Sequence, residues 1–239
     1  MFLNSDLMAN ALIPTAVPGP KSRELRARED RHLAPGLQGF ALMAGIVVDH
    51  AQGSTVTDVD GNTFLDIIGG IGVNGLGHSH PRFVRAVKEQ VERAAVGSFT
   101  SAHRVELLER LAKNRPSEKV HRTQLYSLGA EAVESALRLA KNATGRTEFV
   151  SFWGGFHGRT MGALSLMGSD FKDTFGPFVP GTHSAPYPHP YRVPEGMTSD
   201  TYALACVEEL RTRLKREDAA SKIAAIIFEP MQGTAGNVI

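Results

Sequence analysis

Four short segments carry residue types whose spacing suits chemistry. The first is Phe152-Trp153-Gly154-Gly155-Phe156-His157-Gly158-Arg159-Thr160. It sets aromatic rings, an imidazole and a guanidinium among glycines that allow a ligand to approach. Phe156 is suited to stack on a planar ring. Arg159 is suited to grip a carboxylate through two N–H groups. The same residues also read as a core Phe, a satisfied His and a surface Arg.

The second segment is Tyr126-Ser127-Leu128-Gly129-Ala130-Glu131-Ala132-Val133-Glu134. A strand expected over His121–Ser127 turns there into a helix expected over Ala130–Ala143, closed by Gly145. Free backbone N–H groups and the positive end of a helix dipole then meet at the sheet edge. Such a spot binds phosphate without a basic side chain. An ordinary strand–helix turn, with Glu131 and Glu134 complementing the dipole, is the alternative. The third segment is Glu229-Pro230-Met231-Gln232-Gly233-Thr234-Ala235-Gly236. It follows the most apolar run, Ile223–Phe228, which reads as a buried parallel strand. Glu229 is either a site acid or a loop cap.

The fourth segment, Gly70-Ile71-Gly72-Val73-Asn74-Gly75, matches G-x-G-x-x-G. A dinucleotide fingerprint must follow a buried strand and open directly into a helix. Here the preceding strand belongs to a meander, and Gly77-His78-Ser79-His80 intervenes before the next helix. A close-packed turn is the better reading. His78 and His80 lack the acid or cysteine cluster of a metal site, so none is expected. Cys206 lies on a helix stripe and reads as core.

Composition bounds the partners. The chain has 239 residues, 26 Lys+Arg, 25 Asp+Glu and a net charge of +1. That balance offers no electrostatic case for nucleic acid or an anionic membrane. No apolar run approaches the ~20 residues that span a bilayer. One cysteine permits no internal disulfide, which fits the cytoplasm.

The elements that must position these segments follow from periodicity. Residues 1–20 read as an arm, and 21–31 as a short charged helix. Gly45–Ile68 reads as an antiparallel meander: Ile46–Val48, a turn at Ala51–Gly53, Ser54–Val59, a hairpin at Asp60-Gly61, then Thr63–Ile68. Helical stripes follow on Phe83, Val84, Val87, Val91 and Ala94, and on Val105, Leu107, Leu108, Leu111 and Ala112. Glu148–Trp153 reads as a strand, Arg159–Met167 as a short helix and Pro177–Pro194 as a Pro-rich loop. Asp200 is expected to cap a helix running to Arg216, with Leu204, Val207, Leu210 and Leu214 inward. The alternation implies an α/β fold with a mostly parallel sheet, whose ligands bind at the carboxyl ends of its strands.

Taken together, the segments resemble the class III aminotransferases, which use pyridoxal phosphate. The resemblance runs from about Pro18-Gly-Pro to Ile239. It includes Asp58-Val-Asp-Gly-Asn-Thr-Phe-Leu-Asp66, Gly69-Gly-Ile-Gly72, Gly77-His-Ser-His-Pro81, Gly129-Ala-Glu-Ala-Val-Glu134, Phe156-His-Gly-Arg-Thr160 and Glu229-Pro-Met-Gln-Gly233. It resembles the 4-aminobutyrate- and acetylornithine-type members. It implies fold type I, with an arm and small-domain meander over 1–76 and part of the cofactor-binding large domain over 77–239. It matches Gly129 and Ala130 to the phosphate-binding turn, and Phe156 to the ring-stacking aromatic with His157 beside it. Glu229 matches an acid near the cofactor, Arg159 a substrate-carboxylate arginine and Ile71 a pocket residue. It also implies an amino donor, a 2-oxo acid acceptor and a homodimer.

Two positions depart from the family pattern. Leu128 replaces a Ser or Thr, and Thr234 replaces the glutamate of 4-aminobutyrate and ornithine enzymes. No lysine stands in the context of the family's Schiff-base lysine, and Lys222 reads as surface. The 239 residues are therefore expected to be a truncated form without transaminase activity. An aminomutase, a decarboxylating relative and a non-catalytic truncated paralogue are the alternatives, with a nicotinamide oxidoreductase more distant.

Overall fold

The computed structural model describes residues 12–34, 36, 39–95, 97, 99–168, 172 and 174–239. Residues 1–11 of the expected arm lie outside them. The chain forms two compact units, Met1–Ala102 and His103–Ile239.

In the first unit, helix α1 (Pro20–Glu29) begins at Gly19, which has no side chain to cap it. Asp60 supplies the cap: its Oδ1 accepts from Lys21 N–H and its Oδ2 from Ser22 N–H, both at 2.8 Å. A short helix, α2 (Gly39–Ala44), precedes the expected meander. Strands β1 (Val48–Gln52), β2 (Thr55–Asp58) and β3 (Thr63–Leu65) pair antiparallel in that order. The first strand starts later than expected, and Ala51 and Gln52 belong to it, so the turn moves to Gly53-Ser54. Buried Asp58 ties the second turn by accepting from Asp60 N–H at 3.0 Å and Asn62 N–H at 2.8 Å. That is the local bonding by which Asp and Asn favour turns.

The Gly70–Gly75 segment forms a turn, not a phosphate loop. Gly69, Gly70, Ile71 and Gly72 all have φ between +54° and +79°. Three of the four are glycines, which tolerate this region; β-branched Ile71 does so at a cost of about 1–3 kcal/mol. Asp66 holds the turn by accepting from Ile68 and Gly69 N–H. Its Oδ2 lies 2.7 Å from His78 Nε2, while Asn74 meets His78 Nδ1 at 3.1 Å. The Gly69 N–H first, and then His78, hold the Asp66 carboxyl below its usual range. Helix α3 (Pro81–Arg93) begins only afterwards.

The second unit holds α4 (Ala102–Lys113), α5 (Gly129–Thr144), β4 (Glu148–Phe152), α6 (Met161–Ser165), β5 (Thr182–Ala185), α7 (Ser199–Arg216) and β6 (Ile223–Ile226). The sheet order is β5-β4-β6, and both pairings are parallel. Phe149, Val150 and Ser151 of central β4 are buried. Val150 alone contributes about 1.5–3 kcal/mol through burial. Leu164, Leu166 and Met167 complete the core beside it. Gly145, at φ +67°, closes α5 as expected.

Several expectations change here. The segment 121–127 forms no strand. His121, Arg122 and Gln124 dilute its apolar character, and no neighbouring strand among the described residues satisfies its backbone. The loop Pro177–Pro194 contains β5, whose short polar sequence hides it. α6 is shorter than Arg159–Met167 because Thr160 is still extended. Thr198, not Asp200, caps α7, accepting from Thr201 N–H. Asp200 falls in the first turn. Leu204 and Val207 of α7 face outward, while Cys206 is buried and Leu210 and Leu214 are half-buried. Spacing alone had not fixed which stripe meets the sheet. Ile226 and Phe228 are exposed, since among the described residues β6 pairs on one side only.

Among the described residues no helix is long and apolar enough to cross a membrane. No group of three or more His, Cys, Asp or Glu among them is placed to hold a metal ion.

Candidate active site

Helix α5 opens the site. Its N-cap, Leu128, has no side-chain acceptor, so the first-turn amides must look elsewhere. Glu131 reaches back and accepts from Ser127 N–H at 3.1 Å and Leu128 N–H at 3.2 Å. Among the described residues, no acceptor meets the N–H groups of Gly129 and Ala130. A Cβ on Gly129 would meet nothing within 4 Å. The helix therefore presents open donors and a positive dipole end over an unfilled space.

The chain leaving β4 is brought to that same helix end. Gly158 has φ +127°, and a Cβ there would lie 2.9 Å from Ala130 Cβ and 3.1 Å from Ala163 Cβ. Only glycine permits this approach. Glu134, one turn further along α5, accepts from Thr160 Oγ1 at 2.6 Å and from Ala163 N–H at 3.0 Å. It thereby caps α6 and pins the 157–163 segment onto α5.

The third motif joins from the end of β6. Glu229 Oε2 accepts the Phe156 N–H at 2.8 Å. Tyr187, following β5, donates its hydroxyl to the carbonyls of Glu229 and Pro230 at 3.1 and 3.2 Å. The Phe152 ring packs edge-on against Tyr187, with centroids 5.9 Å apart. Buried Gln232 donates to the Trp153 carbonyl at 2.9 Å. Three segments distant in sequence thus converge at the carboxyl ends of adjacent parallel strands.

His157 is 8% exposed, and its Nε2 is buried without a hydrogen-bond partner. Burial pushes its pKa down, and the Glu229 charge opposes that shift. The ring is held neutral near pH 7, so it adds no cation to the site. Arg159 is exposed at the start of the α6 approach.

Gly129, Ala130, Phe156, His157, Arg159 and Glu229 all lie in the second unit. Ile71 lies in the first, exposed on its left-handed turn. Lys222 is exposed in a short turn of helix. Sequence reasoning missed Tyr187, Gln232 and the clamping role of Glu134. Gln232 and Glu134 stood inside the motifs, with nothing local to show what they bind. Tyr187 was hidden in the Pro-rich stretch.

The family description "Aminotransferase class-III" matches residues 40–239. The 5-aminovalerate aminotransferase DavT of Pseudomonas putida is 39% identical, over 86% of this chain and 48% of that protein. An (S)-enantioselective omega-transaminase from Thermomicrobium roseum superposes with a TM-score of 0.80 at 33% identity, over 90% of this chain and 51% of that one. An amine transaminase of an uncultivated Pseudomonas species, solved in its PLP-bound form, superposes with a TM-score of 0.71 at 28% identity, over 81% of this chain and 46% of that one. The chain spans about half the length of the curated relatives it matches. With its parallel sheet and the convergence of three family motifs, the chain belongs to the class III aminotransferases.

Proposed function

We propose that the chain carries the cofactor cradle of an aminotransferase that moves an amino group from an amine or ω-amino acid to a 2-oxo acid. The observation that carries this reading is the seating of Gly158 on Ala130, at the helix end whose amides are open. The open amides and the orphaned, buried His157 Nε2 both fit a phosphorylated, ring-bearing group. When bound, pyridoxal phosphate supplies an electron sink for charge developing on substrate carbon.

The chain's own residues bind and orient. Gly129 and Ala130 N–H hold the phosphate. Phe156 stacks on the ring, fixed from behind by Glu229 through its N–H. His157, kept neutral, flanks the ring without competing for charge. Arg159 binds the substrate carboxylate. The division into 1–76 and 77–239, a homodimer and a cytoplasmic setting belong to the same reading.

The 239 residues hold no lysine in the reactive context, so by themselves they do not turn over. The test combines the purified chain with pyridoxal phosphate, an ω-amino acid, a 2-oxo acid and borohydride. The reading expects cofactor binding without a lysine adduct. It also expects 5-aminovalerate to perturb the bound cofactor's absorbance in the wild type and not in Arg159→Ala. A stoichiometric lysine adduct with turnover overturns the inactivity of the chain. Absence of any cofactor binding favours a non-catalytic relative.

A further inference from the structure

Away from the candidate site, His183 of β5 sits between two carboxylates. Its Nε2 is 2.8 Å from Glu148 Oε2 on β4, and its Nδ1 is 2.6 Å from Glu217 Oε2 at the end of α7. The imidazole is 12% exposed, Glu148 20% and Glu217 42%. Arg213, also on α7, reaches Glu217 Oε1 at 3.1 Å and donates to the Ser184 carbonyl. The groups facing His183 are therefore Glu148 from β4, Glu217 from α7 and, behind it, Arg213. The Arg213 hydrogen bond first, and then His183, hold the Glu217 carboxyl below its usual range.

An ionised carboxylate only accepts, and a neutral imidazole carries a single N–H. Both contacts are hydrogen bonds only when the ring holds two protons. We propose that His183 is a proton-dependent clamp, whose imidazolium ties β4, β5 and the end of α7 together and whose deprotonation releases one of the two carboxylates. The released proton passes to solvent. Glu217 is the partner let go, because it is the more exposed and rehydrates more readily. Among the described residues β5 has four residues and a single strand neighbour, so it depends on such ties. The stretch after β5 carries Tyr187, which holds the Glu229 carbonyl, so the clamp bears on the cradle from the opposite end of that strand.

The sign follows from the two partners. Raising pH takes one of the two ring protons and with it one bond. Lowering pH through the depressed Glu217 range protonates that acid and also weakens the clamp. The clamp is complete only between these limits.

The test is urea unfolding of the full chain at about pH 6 and about pH 8, for wild type, His183→Gln and Glu217→Gln. The wild-type midpoint should fall more between the two pH values than the midpoint of either variant. Glu217→Gln removes an exposed partner and keeps the comparison available if His183→Gln does not fold. Proton NMR should show one ring resonance, absent from His183→Gln, that moves between those two pH values. Equal midpoint shifts in wild type and variants, or a His183 resonance that stays fixed across that range, overturn the proposal.

Discussion

The backbone N–H of Phe156 donates to Glu229 Oε2 at 2.8 Å, joining residues 73 positions apart in the chain. One comes from the segment after β4, the other from the end of β6. The carboxylate thus orients the chain that carries Phe156, His157 and Arg159. Replacing Glu229 by Ala should cost about 1.5–3 kcal/mol, the worth of a part-buried hydrogen bond to a charged group. Glu229→Gln keeps an acceptor and should lose less. Urea unfolding of both variants checks the order.

Gly158→Ala should be the more damaging change. Its Cβ would press on Ala130 and Ala163, and φ +127° disfavours any side chain. A loss of at least about 2 kcal/mol is expected, read as a lowered thermal midpoint. Gly196→Ala is the control: its φ is +81°, with nothing within 4 Å of the added Cβ. It should carry the backbone cost alone.

His157 makes stability depend on pH in the acid range. Burial lowers its folded pKa, so the unfolded chain binds the proton more readily. Its contribution is complete above the ordinary histidine range, about pH 6.5, and is lost as pH falls toward the lowered value. Glu229→Gln removes the charge that opposes the shift and should push the His157 pKa down further. An NMR titration of the His157 ring in wild type and Glu229→Gln measures this.

Thr198→Ala should cost about 1 kcal/mol, because Thr198 caps α7. Asp200→Ala should cost a few tenths, the worth of a first-turn acid acting on the dipole. Thermal unfolding of the pair decides which residue starts the helix.

The motifs after β4 and β6 were legible because each combines a strand end with residues that only a special backbone requires. Gly145 closing α5 and the Asp60-Gly61 hairpin were readable for the same reason. What stayed hidden depends on partners remote in sequence. β5 is a strand because β4 lies beside it, not because Thr182–Ala185 looks like one. The segment 121–127 looks like a strand and, among the described residues, has no neighbour to pair with. Glu134 read as a dipole complement until Thr160 and Ala163 folded onto it. The Leu204 and Val207 error has the same origin, since two overlapping stripes on α7 were both apolar.

The central claim is that the start of α5 holds the cofactor's phosphate, and Gly129 tests it most directly. An added Cβ there meets no protein atom, so Gly129→Ala should leave the thermal midpoint unchanged. Titration of the chain with pyridoxal phosphate, read by absorbance, should saturate, and pyridoxal without the phosphate should bind more weakly. Gly129→Ala should weaken the phosphate-bearing ligand by roughly tenfold, about 1.4 kcal/mol. Equal affinity in wild type and Gly129→Ala, or no preference for the phosphorylated ligand, would contradict the account.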